Sequence, residues 1–210
     1  MMSNWEEWDK IDLNLIRSVP DQKRSRGNSG TKNKRKYKDL ICAFDIETTA
    51  IPERESAVMY IWQFQIEDHT YIGRTWDEYL TFLKKIAAEL NENEYVVIFD
   101  HNLSYEFQFL AGIYEFKPEE VFALEPRRIL KCDMLKHFEY RCSYLHSNMS
   151  LDMYLSKMGV ESKKVHGFDY KKQRWPWTEL SDDEMHYCIN DVKGLVQAVK
   201  IEMTHDGDNL

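Results

Sequence analysis

LICAFDIE, Leu40 to Glu47, is an apolar run that ends in two carboxylates. An unbroken apolar stretch of this length predicts a strand covered on both faces, as in the inner strands of an open α/β sheet. Side chains alternate along a strand, so Asp45 and Glu47 share one face. They also fall at the strand's carboxyl end, where open α/β sheets place their ligands. Two carboxylates crowded beside apolar residues repel unless a cation or a proton lies between them. An Asp-x-Glu at a strand end is also common by chance, so the pair gains meaning only from what converges on it.

Working outward, VMYIWQFQIED (58–68) and HTYIGR (69–74) predict the next two strands, with a tight connection near Asp68. From Trp76 to Leu90 the apolar residues Tyr79, Leu80, Leu83, Ile86, Ala87 and Leu90 recur at helical spacing. YVVIFDHN (95–102) is a second buried strand ending in polar residues, and SYEFQFLAGI (104–113) a helix after it. RRILKCDM and HFEYRCSYL are candidate hairpin strands, and SLDMYLSKMG is a short helix closed by Gly159. An irregular stretch runs from Lys163 to Trp177. Ser181 and Glu184 then form a capping box that opens a last helix, reaching about Glu202. Strand, hairpin, helix, strand, helix and a long final helix make an α/β domain.

The second strand end delivers Asp100, His101 and Asn102, with Glu106 on the first turn of the following helix. An acid there is stabilised by the helix dipole, which is the plainer account of Glu106. Phe99, Tyr105, Phe107 and Phe109 are core or base-stacking candidates, with Phe107 assigned to the core. On the last helix Tyr187 and Asp191 lie four apart, hence on one face, and Asp191 interrupts the apolar Ile189, Val192 and Leu195. Taken singly, Asp191 reads as a surface acid. Taken jointly, three element ends each send a carboxylate toward one sheet edge. Hard oxygen donors of this kind suit magnesium or manganese rather than zinc. Two such ions, about 3.5–4 Å apart, are the usual apparatus of phosphodiester hydrolysis. The sequence has no GxSxG, P-loop, HExxH or Gly-rich dinucleotide turn to compete with this reading.

Composition agrees with a packed protein: 43% hydrophobic and 30% charged residues. Nothing approaches the roughly 20 apolar residues of a membrane span, and MMSNWEEWDK lacks a signal-peptide core. Cys42, Cys132, Cys142 and Cys188 are scattered without a CxxC pair, which argues against a zinc site or disulfide framework and fits a reducing cytosol. The net charge of −8 is unusual for a nucleic-acid protein, but residues 21–38 hold eight Lys or Arg against one Asp, which leaves a body still more acidic. Such a body meets a polyanion through divalent cations. A solvated acidic surface is the plainer alternative. Residues 1–38, with Trp5, Trp8, Ile11 and Leu15 at helical spacing before Pro20 and the basic run, read as a separate extension with a flexible basic linker.

FDIETT, HNLSYEF and YCIND, in this order and spacing, resemble the three exonuclease motifs of the DEDDy class. From about Leu40 onward the chain is similar to the 3′→5′ exonuclease domain of protein-primed family-B DNA polymerases of bacteriophages and linear plasmids, and YRCSYLHSNMSL adds a fourth matching segment. The resemblance implies a ribonuclease-H-like (DnaQ-like exonuclease) α/β fold, a mixed sheet flanked by helices, spanning 39–210. It implies Asp45, Glu47, Glu106 and Asp191 as ligands of two Mg²⁺ or Mn²⁺ ions and Tyr187 as the residue orienting water. Thr48, His101, Asn102, Tyr105, Phe109 and Ser143 would hold single-stranded DNA, with Lys164, beside Lys163, as the match to a family lysine. Implied partners are a DNA 3′ end, a polymerase domain in cis or as a separate chain, and a terminal priming protein, with no membrane. The implied location is the cytoplasm of a bacterial host, under phage or plasmid coding. Two departures stand out. The family has Asp where this chain has Glu106, one methylene or about 1.5 Å longer. EMTHDGDNL resembles the junction into palm, fingers and thumb, none of which follows, so a split gene, truncated frame or fragment is expected and polymerisation is not. Two alternatives stay open: a weakened module that grips DNA or a polymerase partner, and an RNase using the same ligands.

Overall fold

The computed structural model describes residues 5–22, 35–161, 169 and 171–207. Its elements are β1 (Glu6–Glu7), α1 (Asn14–Arg17), β2 (Lys36–Tyr37), β3 (Cys42–Ile51), β4 (Ser56–Ile66), β5 (His69–Gly73), α2 (Trp76–Ala87), β6 (Glu94–Asp100) and α3 (Leu103–Ile113). After these come β7 (Val121–Glu125), β8 (Arg128–Met134), β9 (Phe138–Cys142), α4 (Ser143–Ser147), α5 (Leu151–Lys157) and α6 (Asp182–Asp206). The strands form one mixed sheet in the order β1-β5-β4-β3-β6-β9-β8-β7, with β2 also pairing with β6. β3 is parallel to β6 and antiparallel to β4, so the carboxyl ends of β3 and β6 lie on the same edge of the sheet.

The pleat of β3 sorts its neighbours. Even-numbered Cys42, Phe44 and Ile46 join a core with Trp62, Phe64, Tyr79, Phe82 and Leu110, which brings α2 and α3 onto that face. Odd-numbered Ile41 and Ala43 pack instead with Tyr154, Leu155, Val192, Leu195 and Val199, so α5 and α6 cover the other face. Asp45 and Glu47 continue the odd series and therefore belong to the α6 side. The continuous apolar run that predicted a doubly covered strand has this cause. Close packing extends to Gly73, where an added Cβ would fall inside the buried Trp62 indole.

Local chemistry accounts for the element ends. Thr75 and Glu78 form a capping box on α2, and Ser181 and Glu184 another on α6. Gly159 follows α5 with φ +72, as its sequence position predicts. The β8–β9 turn places both Leu135 and Lys136 at positive φ (50° and 69°), a conformation that ordinarily selects Asn or Gly. The sequence therefore carries no turn signal there. β7 and α4 were likewise not anticipated.

The N-terminal segment corrects an expectation. Residues 5–22 are not a detached extension: β1 pairs with β5, Ile16 is fully buried, and Trp8, Ile11, Leu15 and Val19 pack against the α2-side core. Their helical spacing signalled an apolar stripe that needs a partner, and the body supplies one. The far end of the basic run is docked too. β2 pairs with β6, and the Arg35 guanidinium donates to Asp133 at 2.6 and 2.9 Å and to Glu139 at 2.6 Å. The linker expected between these two ends falls on residues 23–34, outside the described residues.

Candidate functional site

β3 brings Asp45 and Glu47 to the sheet edge, with Asp45 directly opposite Gln63 on β4 and Glu47 opposite Ile61. From the parallel neighbour β6 the chain swings into α3 through Asn102, whose φ of 84° lies in the left-handed region that Asn tolerates. This turn sets Glu106 on the first helical turn, facing back to the same edge. Glu106 is only 3% exposed, although dipole stabilisation alone would leave an acid there in solvent. On the far side α6 packs Cys188, Val192 and Leu195 onto the sheet and carries Asp191 beside that buried stripe.

The four carboxylates respond to one another. Burial raises the Asp45 carboxyl well above its ordinary range, and Glu47, Glu106 and Asp191 each push it further. Glu47 is pushed up to about 8 by burial and then by Asp191, with Arg174 opposing. Asp191 rises to about 6 through burial, with Asp152 adding to it. Burial, then Asp100, then Glu47 raise Glu106. The structure thus brings Glu47, Glu106 and Asp191 within electrostatic reach of Asp45, from three separate elements. Tyr187, one helical turn before Asp191, packs against the cluster of Tyr60, Ile61, Ile72, Met185, Cys188 and Ile189.

Asp100, the last residue of β6, belongs to this cluster. It is fully buried, its carboxyl is raised by burial and by Asp45, and it faces Glu106. Both Asp100 oxygens and Glu106 Oε2 lack a hydrogen bond of acceptable geometry, as do both amide atoms of the fully buried Gln63 across from Asp45. Orphaned buried polar atoms beside repelling carboxylates are the donor chemistry that a hard divalent cation satisfies. Among the described residues no group of three or more His, Cys, Asp or Glu side chains is already gathered around a metal position. Magnesium commonly takes one or two carboxylates together with waters and substrate phosphates rather than an all-protein cage, so pairs of these acids fit it.

The predicted DNA-holding residues divide into two groups. Thr48 and Tyr105 share a hydrogen bond of 2.6 Å between their hydroxyls, and Tyr105 is raised by burial and by Glu106, Glu47 and Asp45, which places it beside the carboxylates. Phe109 follows one turn later, its ring 5.4 Å from Tyr105 and stacked at 6.3 Å on Trp76. Asn102 is exposed at the start of α3. The second group is knotted behind Asp100. Ser143, 3% exposed, donates to the Asp100 carbonyl at 3.1 Å and meets His101 Nδ1 at 2.9 Å, while His101 Nε2 meets the Met149 carbonyl at 3.1 Å. Burial lowers the His101 pKa. Ser143 also lines a cavity of about 400 Å³ between β9 and the end of α6 that contains none of the predicted carboxylates. Lys163 and Lys164 lie outside the described residues.

Sequence reasoning missed Arg174. It is 3% exposed, binds Glu184 at 2.7 and 2.9 Å, and its backbone exchanges hydrogen bonds of 2.6 and 2.9 Å with the Thr49 hydroxyl. An irregular segment without periodicity gave no signal of this. Together with Glu47, Thr48, Lys171 and Lys172 it borders a cleft of about 310 Å³.

No family model matches the sequence, and the sequence matches no curated protein. Solved structures are similar in fold. Phi29 DNA polymerase complexed with single-stranded DNA superposes with a TM-score of 0.67 at 13% identity, over 82% of this chain and 32% of that one. Phi29 DNA polymerase complexed with primer-template DNA gives 0.66 at 14% identity, over 81% and 32%. The chain therefore spans about a third of the length of these polymerases. The likeness is one of fold, and it agrees with the ribonuclease-H-like mixed sheet flanked by helices that the motifs implied. No helix among the described residues is long and apolar enough to cross a membrane.

Proposed function

We propose that residues 39–210 are a metal-dependent 3′→5′ exodeoxyribonuclease unit acting on the unpaired 3′ end of DNA, in the manner of a polymerase proofreading domain. The observation that carries the reading is the convergence of Asp45, Glu47, Glu106 and Asp191 on one sheet edge: burial raises all four, and Glu47, Glu106 and Asp191 each raise Asp45 further. Carboxylates repelling one another in a buried setting are poised to take up divalent cations. Asp45, Glu47, Glu106 and Asp191 would hold Mg²⁺ or Mn²⁺, which supplies Lewis-acid activation of water and stabilises a leaving oxygen. Tyr187 orients the water from the same helix face as Asp191. Thr48 and Tyr105, already hydrogen-bonded to each other, present hydroxyls to the terminal nucleotide. Phe109, with His101, Asn102 and Ser143 in supporting positions, bounds the path of the strand. Polymerase and priming-protein partners, and a bacterial host cytoplasm, belong to the same proposal.

The purified chain should release nucleoside 5′-monophosphates from the 3′ end of single-stranded DNA with Mg²⁺ or Mn²⁺. Asp45→Ala combined with Glu47→Ala should abolish that release. A double variant that digests DNA as fast as the parent sinks the site assignment. Glu106, one methylene longer than the family's Asp, favours one second reading, a binding module with a weakened centre, which Glu106→Asp separates from the first.

A further inference from the structure

Trp175 and Trp177, which follow the cleft-lining Arg174 along the chain, stack on each other with ring centroids 5.7 Å apart and planes inclined by only 7°. The outer indole is 80% exposed. Most of its apolar face therefore meets water and is open to stacking. The loop that carries it is not loose. Trp175 N–H donates to Thr178 Oγ1 at 2.8 Å, and Thr178 N–H returns to the Trp175 carbonyl at 2.8 Å. Arg74 donates to the Trp175 and Thr178 carbonyls at 3.0 and 2.8 Å. Immediately before the pair, Arg174 is bound through its backbone to Thr49, two residues beyond Glu47 on β3. The indoles are therefore anchored to the strand that presents the carboxylates, and little ordering remains to oppose binding.

We infer that Trp177 is a stacking platform for an unpaired nucleobase, on the segment that follows the cleft bordered by Glu47. The inference rests on the nuclease reading and extends it to a residue outside the three motifs. The chemistry of the surroundings selects the occupant. A membrane or a protein partner calls for a contiguous apolar patch, whereas Lys171, Lys172, Gln173 and Glu179 beside the pair are exposed and polar. A single flat ring offers a π face to a base, and the exposed Lys171 on the same segment offers a cation to its phosphates, while Lys172 is held by Glu184. The cleft, at about 310 Å³, is of the size that takes a small ligand group.

The test measures equilibrium binding of a labelled single-stranded oligodeoxynucleotide to the whole chain in EDTA, where no hydrolysis occurs. Trp177→Ala and Trp177→Leu should weaken binding about tenfold or more, while Trp177→Phe stays near the parent, because any aromatic face stacks and an aliphatic one does not. Circular dichroism should be alike for all four proteins, since the outer ring is exposed. Oligonucleotides with one abasic position, moved stepwise from the 3′ end, should reveal one position where the parent loses affinity and Trp177→Ala loses no more. Binding by Trp177→Ala equal to the parent overturns the platform and leaves the nuclease reading intact. Equal weakening of Leu and Phe variants, or strictly additive losses with every abasic position, also overturns it. A parent chain that neither binds nor digests single-stranded DNA overturns both.

Discussion

Glu106 is the residue on which the proposed chemistry turns. It is one methylene longer than the Asp of the family it resembles, yet its carboxyl arrives among the same acids: Asp45 and Glu47 both interact with it, and Asp100 lies against it. Asp100, at the end of β6, is fully buried against it, near enough for the two carboxyl groups to interact directly. Glu106→Asp should therefore change the rate of 3′-end digestion by no more than about threefold, a fraction of the ~1.4 kcal/mol that a tenfold change represents. A gain of a hundredfold would mark Glu106 as the weak point of the parent centre and favour the binding-module reading.

At the scale of elements, α6 and the segment before it depend on Glu184. Its Oε2 accepts from Ser181 N–H at 2.8 Å in the capping box, while Oε1 accepts from Lys172 at 2.7 Å and from Arg174 at 2.7 and 2.9 Å. Burial alone would raise this carboxyl, but Lys172, the Ser181 amide and Arg174 outweigh it and hold it at about 2. Removing the cap with Ser181→Ala should cost about 1 kcal/mol. Glu184→Gln leaves the buried Arg174 facing a neutral amide and should cost about 3–5 kcal/mol, the range for breaking a buried ion pair. Thermal unfolding of the two variants checks the ranking, and equal losses would show that the cap alone matters.

For the whole molecule, the carboxylate edge sets the pH dependence. Asp45, Glu47, Asp100, Glu106 and Asp191 all have folded pKa values above their ordinary ones. Over the interval between the two values the folded chain keeps protons that the unfolded chain has released, so stability falls as pH rises. Without divalent ions the melting temperature should decline from about pH 5 to pH 8, through the values near 6 for Asp191 and 8 for Glu47. Mg²⁺ or Mn²⁺ at pH 8 should restore it by binding the folded state. Glu184 works in the opposite sense: its stabilisation is present above the ordinary carboxylate range and is lost as pH falls toward about 2. A melting temperature that stays level or climbs between pH 5 and 8 in EDTA would remove the electrostatic argument for the cluster.

The sequence by itself determined the sheet's central strands and the acids at their ends. Burial on both faces writes an unbroken apolar run, and alternation puts Asp45 and Glu47 on one side, so Leu40 to Glu47 could be read without neighbours. The cap of α6 was legible for the same reason: its hydrogen bonds close within a few residues. Tertiary structure alone decided that Asp100 faces Glu106, that Arg174 reaches both Thr49 and Glu184, and that residues 5–22 complete a core. Those contacts join residues distant along the chain or lie in segments without periodicity, where local pattern carries no record of what packs against it.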